Sequence, residues 1–221
     1  MKRNRCKKIA AALLCMVMGC TTLGQGFSAT AADSTTAEEE VEINFAKALQ
    51  MSLYFYDANK CGSGITGGNL EWRGDCHTED AAVPLKPMGK DYKGTNLSQE
   101  FIDAHRDILD PDGDGTIDVA GGMHDAGDHV KFCLPGSYAA STLGWGYYEF
   151  RDSYVDSGQQ WHVEDILHWF NDYYLKCTYF DENGDILAFC YQVGEGDIDH
   201  NYWNAPELQN ESLLDFARPA Y

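Results

Sequence analysis

The chain is best approached from twelve consecutive residues, which read Gly121-Gly122-Met123-His124-Asp125-Ala126-Gly127-Asp128-His129-Val130-Lys131-Phe132. Two carboxylates, those of Asp125 and Asp128, are three positions apart, and a histidine stands on either side of them. Glycines allow the backbone to bend and let a bulky substrate come close. Two neighbouring acids can share the work of holding and deprotonating a water molecule, so the run predicts hydrolytic chemistry. The bare spacing also fits a solvated, capped turn.

The first 31 residues have the order of a secretory signal peptide. Lysines and arginines open the chain, residues 9–19 are apolar, and Ala29-Thr30-Ala31 offers a cleavage site. We therefore expect a secreted, extracellular protein, with an N-terminal membrane anchor as the alternative. Cys20 follows a loose lipobox, so lipid attachment at that cysteine is a further alternative. Residues 32–41 are polar and acidic, which predicts a disordered leader.

Removal of the signal peptide, residues 1–31, would leave a strongly acidic protein. That segment carries five Lys and Arg and no Asp or Glu, so 11 Lys and Arg would stand against 35 Asp and Glu, a net charge of −24. Such a surface repels nucleic acid and anionic membranes. We therefore predict neither nucleic acid as a partner nor membrane insertion after signal removal. A neutral polymer or a metal cation is compatible with this charge.

Helical periodicity dominates the chain after the leader. Apolar residues recur at helical spacing over residues 41–59, 136–154 and 160–175. Ser98 can cap a further helix that runs to about residue 108. Long, glycine-rich segments separate these helices, and such loops commonly carry chemistry.

One β-hairpin is predicted over residues 177–193, because Asn183-Gly184 is a strong two-residue turn signal. That turn would place Cys177 directly opposite Cys190 at a non-hydrogen-bonded pair, where side chains approach most closely. A cross-strand disulfide is one interpretation of this pair. Two buried free thiols are the other.

A second constellation consists of Cys61, Cys76, His77 and His124. Two thiolates and two imidazoles are the ligands of a closed, tetrahedral, structural zinc site. The spacing is not that of a zinc finger. A Cys61–Cys76 disulfide beside two unrelated histidines is therefore the alternative.

A third constellation is the acidic segment 110–118, which reads like the first nine positions of a calcium-binding loop. Asp110, Asp112 and Asp114 would be its first ligands. Residue 121 is glycine where an EF-hand needs a bidentate glutamate, so a true EF-hand is not expected. The three carboxylates could still gather one calcium ion with help from other groups. The alternative is a turn-forming acidic loop.

Four segments together resemble glycoside hydrolase family nine, the cellulase family with a D-A-G-D motif. Residues 121–135 are similar to its signature, and residues 192–200 to its Q-V-G-D-G-x-x-D-H segment. Trp72-Arg73-Gly74-Asp75 resembles its W-R-G-D, and Arg218-Pro219-Ala220-Tyr221 its R-P-A-Y. The motifs occur in the family's order, from about residue 44 to the last residue. The chain is therefore identified as a member of this family.

The resemblance implies an all-α protein, because the family's catalytic domain is an (α/α)6 barrel of six helical hairpins. Residues 42–221 would be the truncated N-terminal portion of such a domain. This portion would hold roughly the first half of the helices as a partial (α/α)6 barrel, with long loops and one β-hairpin. The implied activity is inverting hydrolysis of internal β-1,4-glucosidic bonds in cellulose or related β-glucans, as in an endoglucanase. A β-glucan polysaccharide is therefore the predicted partner.

The resemblance also assigns site residues. Asp128 would be the general base, and Asp125 would help to fix the nucleophilic water. His200 matches a histidine of the sugar-binding cleft, and Trp203 an aromatic whose ring could hold a sugar. The alternatives are a tryptophan of the core and a histidine that supports the site from behind. Some members carry a structural zinc on residues like the four named above, where it would brace the catalytic turn.

The family's general acid is a glutamate near the far end of the domain, and no residue of this chain matches it. Loss of a general acid removes a factor of roughly 10²–10⁴ in rate. We therefore expect the isolated chain to be an inactive or incomplete fragment. A non-catalytic, metal-stabilised glycan-binding protein is the alternative. The missing acid favours this alternative, whereas the complete water-activating motif argues against it.

Overall fold

The structure, a computed structural model, describes residues 43–209 and 217–221. The predicted signal peptide, the predicted leader and Cys20 lie outside these residues. Across the two described ranges, no helix has the length and apolar character needed to cross a membrane.

The described chain is rich in helices, joined by long loops. Its α-helices are α1 (Phe45–Asn59), α2 (Gln99–Ala104), α3 (Arg106–Leu109), α4 (Cys133–Glu149), α5 (Arg151–Asp156), α6 (Gln160–Lys176) and α7 (Gly196–Asp199). Two 3₁₀ turns, Thr78–Ala82 and Pro206–Leu208, complete the helical part. The predicted long helices are therefore present, but two of them are interrupted.

Caps and local backbone breaks explain these bounds. Asn44 begins α1 by accepting a hydrogen bond from Lys47 N at 2.8 Å, and Ser98 begins α2 by accepting one from Phe101 N at 3.1 Å. The helix predicted to run to residue 108 is broken at His105, where φ is −131°. The helix predicted over 136–154 begins at residue 133 and is broken at Phe150, where φ is −124°.

Apolar side chains form two main buried clusters. The first lies among α1, α4, α5 and α6 and consists of Leu53, Tyr154, Val163, Ile166 and Phe170. The second lies beneath the loops and short strands and includes Leu85, Ile102, Leu109, Ile117, Val119 and Val193. The loops that carry the candidate site are therefore backed by apolar packing.

Three two-stranded antiparallel sheets correct the expectation of an all-α protein with one hairpin. The pairs are β1 (Val83–Pro84) with β2 (Thr116–Ile117), β3 (Lys131–Phe132) with β6 (Gln192–Val193), and β4 (Thr178–Phe180) with β5 (Ile186–Phe189). Strands of two residues give no alternating pattern, so the sequence did not indicate the first two pairs. The β3–β6 pair joins two of the four family-like segments directly.

The predicted hairpin is present as β4 and β5, but its turn differs from the expected two-residue turn. Gly184 N donates to Asp181 O, and Asp181 N donates to Asp185 O, so three residues form the loop. Gly184 has φ of +84°, the left-handed backbone that this turn needs. An irregularity after Tyr179 then restores the predicted register, with partners Thr178–Phe189 and Tyr179–Ala188.

The predicted disulfide between Cys177 and Cys190 is wrong, because both thiols are free and buried. The residues do face each other, but Cys190 N donates to Cys177 O at 2.9 Å. Cys177 N donates to Tyr173 O at 2.9 Å, so the two cysteines share one backbone hydrogen bond and not the two of a full hydrogen-bonded pair. The Cys190 thiol donates to Gln192 O at 3.4 Å instead. The alternative of two buried thiols is the correct one.

Gly122 allows the segment of residues 121–132, which carries Asp125 and Asp128, to approach α6 closely. Its φ is +74°, and a Cβ at this position would lie 2.6 Å from the ring of the buried Tyr173. We expect Gly122→Ala to lower the free energy of unfolding by about 2–4 kcal/mol, because it combines backbone strain with overpacking. Gly158→Ala is the matched control, since Gly158 has φ of +71° with nothing within 4 Å. It should cost about 1 kcal/mol. Equal losses in urea unfolding would contradict this packing.

Candidate active site and metal centre

The two predicted catalytic carboxylates lie on one tight turn. His124 N donates to Asn59 O at 2.8 Å, which anchors the start of the turn to the end of α1. Asp125 N donates to Val130 O at 2.9 Å, which closes the turn before β3 begins. Asp125 is exposed, whereas Asp128 is 8% exposed. The two acids therefore belong to one side of a site and differ in burial.

Asp128 is held by one oxygen only. His200 Nδ1 donates to Asp128 Oδ2 at 2.8 Å, and the His200 side chain is 63% exposed. Asp128 Oδ1 is buried and has no hydrogen-bond partner among the described residues. A carboxylate fixed in this way can accept a hydrogen bond from a water molecule through its second oxygen. The sequence predicted His200 as a cleft residue but not its contact with Asp128.

Asp125 is electrostatically linked to Asp128. Burial, and then the charge of Asp128, raise the pKa of Asp125 above its ordinary value. Two carboxylates that interact in this way suit the joint handling of a water and its protons.

Trp203 lies directly beside the turn. A Cβ at Gly127 would be 2.8 Å from Trp203 Cζ3, so only glycine permits this approach. The indole is 68% exposed, and its ring centre lies 5.4 Å from that of His200. The indole is thus a surface group rather than part of the core, and it lies beside Gly127, the residue that precedes Asp128.

The four predicted metal ligands converge and are all buried. One ligand atom from each of Cys61, Cys76, His77 and His124 lies within 4.8 Å of the others. His124 Nε2 is 3.2 Å from His77 Nδ1 and 4.0 Å from Cys76 Sγ. Cys61 Sγ is 3.8 Å from His77 Nδ1. The cluster joins the loop of residues 61–77 to the residue that precedes Asp125.

Neighbouring groups set the protonation of this cluster. His77 Nε2 donates to Gln209 Oε1 at 2.9 Å, which leaves the Nδ1 lone pair directed at the cluster. Burial, and then repulsion by any positive charge on His77 or His129, hold the pKa of His124 well below its ordinary value. Neutral imidazoles with free lone pairs are the form in which histidine binds metal.

Arg73 supports the cluster from behind, which gives the W-R-G-D segment a structural role. Its Nη2 donates to Lys60 O at 2.9 Å and to Cys76 Sγ at 3.5 Å. Its Nε donates to Glu207 at 2.7 Å, and Glu207 also accepts from Gly74 N at 2.8 Å. Glu207 is therefore committed to this ion pair and to the Gly74 peptide.

A buried ion network lies under the turn. Arg218 donates to Asp80 at 2.7 and 3.2 Å and to Asp199 Oδ2 at 2.9 Å. Lys131 Nζ lies 2.9 Å from Asp80 Oδ2. Each of these four side chains is at most 3% exposed. Two positive and two negative charges thus compensate each other away from water.

The network reaches the turn that carries Asp125 and Asp128 through the peptide groups of His129. Its N–H donates to Asp199 Oδ1 at 3.0 Å, and its C=O accepts from Arg218 Nη2 at 3.1 Å. Both peptide groups of the residue after Asp128 are therefore fixed. Gln209 Nε2 also donates to Asp199 Oδ1 at 3.3 Å, which links this network to His77 of the Cys₂His₂ cluster.

Sequence reasoning missed the roles of this network. Arg218 belongs to the R-P-A-Y segment and Asp199 to the segment of residues 192–200. Their place in family-like segments marks both residues, but the sequence does not show that they form an ion pair. Gln209 and Asp80 lie outside the four family-like segments, and only the folded chain shows that they matter. The three predicted calcium ligands, by contrast, come together on the loop between α3 and β2.

Comparisons with known proteins show the family of this chain. A family model described as Glycosyl hydrolase family 9 matches residues 45–221. Endoglucanase 4 of Bacillus sp. (strain KSM-522) is 33% identical over 180 residues, which cover 81% of this chain and 22% of that protein. Endoglucanase A of Bacillus pumilus is 31% identical over 192 residues, which cover 87% of this chain and 23% of that protein. The chain thus spans less than a quarter of the length of these two relatives.

Solved structures give the same result. The catalytic domain of Clostridium thermocellum CelT has a TM-score of 0.73 and 54% identity, over 81% of this chain and 34% of that chain. The cellulase Cel9M of C. cellulolyticum has a TM-score of 0.55 and 37% identity, over 80% of this chain and 33% of that chain. The chain is thus similar to about a third of each of these structures.

The buried network predicts a large cost when Arg218 is replaced. Arg218→Met should lower the free energy of unfolding by about 3–5 kcal/mol at pH 7, because it leaves buried carboxylates without their counter-charge. Arg151→Met is the control: Arg151 is exposed, so its replacement should change stability by no more than about 0.5 kcal/mol. Urea unfolding measures both variants, and an Arg218→Met loss below about 1 kcal/mol would contradict the network.

The same variant should alter the acid dependence of stability. Burial alone would raise the pKa of Asp80, but Arg218 and Lys131 overcome it and hold that pKa well below its ordinary value. The stabilisation from Asp80 is therefore present above about pH 4 and is lost as the pH falls below that value. In Arg218→Met the pKa of Asp80 is lowered less. The free energy of unfolding should therefore fall less steeply as the pH drops below about 4. An unchanged slope would show that Asp80 is not the titrating group.

Proposed function

The chain belongs to glycosyl hydrolase family 9, and from this premise we propose that residues 42–221 form the N-terminal portion of a secreted endoglucanase's catalytic domain. The reaction is inverting hydrolysis of internal β-1,4-glucosidic bonds in cellulose or related β-glucans. Asp128 is the general base, and Asp125 helps to fix the water. His200 and Trp203 contact the sugar.

The hydrogen bonding of the two carboxylate oxygens of Asp128 is the observation that supports this proposal most directly. A base for water needs one carboxylate oxygen that is held and one that is free to accept the proton. His200 fixes Oδ2, and Oδ1 has no partner among the described residues. In an inverting mechanism the base removes a proton from the water as that water attacks the sugar from the face opposite the leaving group. Asp125 lies on the same turn and can orient that water.

The substrate class follows from the charge and the exposed indole. A neutral polysaccharide is compatible with the acidic chain, and the apolar face of a sugar ring can stack on Trp203. Solved structures similar to this chain contain such ligands: Cel9M of C. cellulolyticum is in complex with cellobiose, and endoglucanase CelQ of C. thermocellum with cellotetraose. We extend this substrate class to the present chain.

The Cys₂His₂ cluster is proposed to hold a structural zinc ion. Zinc bonds of about 2.0–2.1 Å to nitrogen and about 2.3 Å to sulfur separate tetrahedral ligands by about 3.3 Å (N to N) and about 3.6 Å (N to S). The separations of 3.2, 3.8 and 4.0 Å among His77, His124, Cys61 and Cys76 agree with this geometry. When bound, the ion supplies a cross-link that ties the loop of residues 61–77 to the base-bearing turn.

The helices are proposed to form the first part of an (α/α)6 barrel. One face of α4 supports this arrangement, since Leu134, Tyr138, Trp145 and Tyr148 are 69–83% exposed at helical spacing. An apolar helix face of this size is typical of a surface that further helices cover.

A chimera tests the function. In it, residues 45–221 of this chain replace the matching part of the CelT catalytic domain, which is 54% identical, so that the rest of that domain supplies the general acid. We expect the chimera to hydrolyse carboxymethylcellulose, and Asp128→Ala to lower kcat by a factor of about 10²–10⁴. Binding of cello-oligosaccharides should persist in the variant, because Trp203 remains. Reducing-end release and calorimetry measure the two properties.

Asp107→Asn is the control, because Asp107 is an exposed acid on α3. This substitution should leave kcat unchanged. Full turnover in Asp128→Ala would show that another group is the base. A chimera that binds cello-oligosaccharides but hydrolyses nothing with Asp128 intact would favour the alternative of a non-catalytic glycan-binding protein.

Zinc content tests the metal proposal. The purified chain should contain one zinc ion per molecule by atomic emission, and His77→Ala should lose most of it, because three ligands do not close a tetrahedral site. Cys133→Ser is the matched control, since Cys133 is a buried thiol outside the cluster. Zinc loss in Cys133→Ser, or full zinc in His77→Ala, would contradict the assignment.

A further inference from the structure

A second group of side chains, separate from the Cys₂His₂ cluster, converges on the loop between α3 and β2. One carboxylate oxygen from each of Asp110, Asp112 and Asp114 lies within 4.8 Å of the others. Three negative charges at such distances repel each other, and the repulsion increases where water is excluded. The proposed hydrolytic function uses none of these residues.

Asp110 differs from the exposed Asp112 and Asp114, because it is buried and one of its carboxylate oxygens has no partner among the described residues. Its side chain is 2% exposed, so it lies inside the loop. Its Oδ2 is accounted for by Gly115 N, which donates at 3.1 Å, and by Arg106 Nη1 at 3.5 Å. Its Oδ1 is buried without any hydrogen-bond partner in the described part of the chain. A buried carboxylate oxygen without a partner is costly and needs a ligand to explain it.

We propose that Asp110, Asp112 and Asp114 bind one calcium ion, with Asp110 Oδ1 as the buried ligand. Two oxygens on one Ca²⁺ at about 2.4 Å cannot lie more than about 4.8 Å apart, and the three carboxylates meet this limit. The ligand set is all oxygen, which suits hard cations and does not suit zinc. Calcium tolerates irregular geometry, whereas Mg²⁺ demands a near-ideal octahedron.

The surroundings of the loop set its expected affinity. Asp112 and Asp114 are exposed, so water can complete the coordination. Asp118 is not a ligand, because its Oδ2 pairs with Lys176 at 3.0 Å. With three carboxylates and no bidentate glutamate, the dissociation constant should lie on the order of 10⁻⁴–10⁻³ M, as in extracellular calcium modules.

The consequence of binding is structural. Gly115 O accepts a hydrogen bond from Leu85 N at 2.9 Å, and β2 starts at the next residue and pairs with β1. A cation on the loop therefore fixes the segment that leads into the turn of residues 121–132. This site does not depend on the proposed hydrolysis, because its test measures binding and not turnover.

Calorimetric titration of the zinc-loaded full chain with CaCl₂ tests the proposal. We expect one Ca²⁺ per chain, and at least about tenfold weaker binding in the double variant Asp112→Asn/Asp114→Asn, since affinity follows ligand charge. Both residues are exposed, and asparagine keeps the Oδ1 that accepts from Thr116 N at 2.8 Å in Asp114, so folding should be preserved. Asp107→Asn, which removes an exposed charge from the preceding helix, should bind Ca²⁺ as the wild type does.

Three results would overturn the proposal. These are no binding below about 10 mM CaCl₂ (ten times the weakest expected constant), equal affinity in the double variant and the wild type, and equal affinity for MgCl₂ and CaCl₂. Far-ultraviolet circular dichroism of each variant confirms that it is folded. Thermal unfolding with and without CaCl₂ gives a second measurement, in which only the wild type and Asp107→Asn should be stabilised.

Discussion

Two fully buried carboxylates, those of Asp80 and Asp199, cannot remain in the protein interior without counter-charge. Arg218 satisfies both, and Lys131 completes the balance at Asp80. The arginine comes from the last residues of the chain, and its partners are 138 and 19 positions away. One guanidinium group therefore fixes the 3₁₀ turn, α7 and the chain end relative to each other.

The candidate site takes its position from this network. Arg218 and Asp199 hold the two peptide groups of His129, so the preceding residue, Asp128, has little freedom. On the other side, His124 joins the turn to the Cys₂His₂ cluster, and Gln209 connects that cluster back to Asp199. Asp128 is thus positioned from both ends of its turn, while His200 contacts it from the surface and Trp203 lies beside Gly127. Rigid support of this kind is what a group needs if it must hold a water in one place.

Much of this arrangement could be predicted from the sequence, and the remainder could not for physical reasons. The helices α1 and α6 carry a periodic apolar pattern, and two cysteines with two histidines have a distinctive chemistry, so the sequence indicates both the helices and the Cys₂His₂ cluster. The two-residue strands have no period to detect. The partners of Arg218 lie far apart in sequence, and a buried ion pair leaves no local pattern. The hairpin was predicted correctly, but its three-residue turn and its compensating irregularity were not, and its two cysteines are buried free thiols.

The central claim is that Asp128 activates a water molecule and does not itself attack the sugar. The stereochemistry of the first product measures this directly, because a water-activating base inverts the anomeric carbon and a carboxylate nucleophile retains it. Time-resolved proton nuclear magnetic resonance of cellopentaose hydrolysis by the chimera with CelT should show the α-anomer appearing first at the new reducing end. A β-anomer that appears first would contradict the role assigned to Asp128.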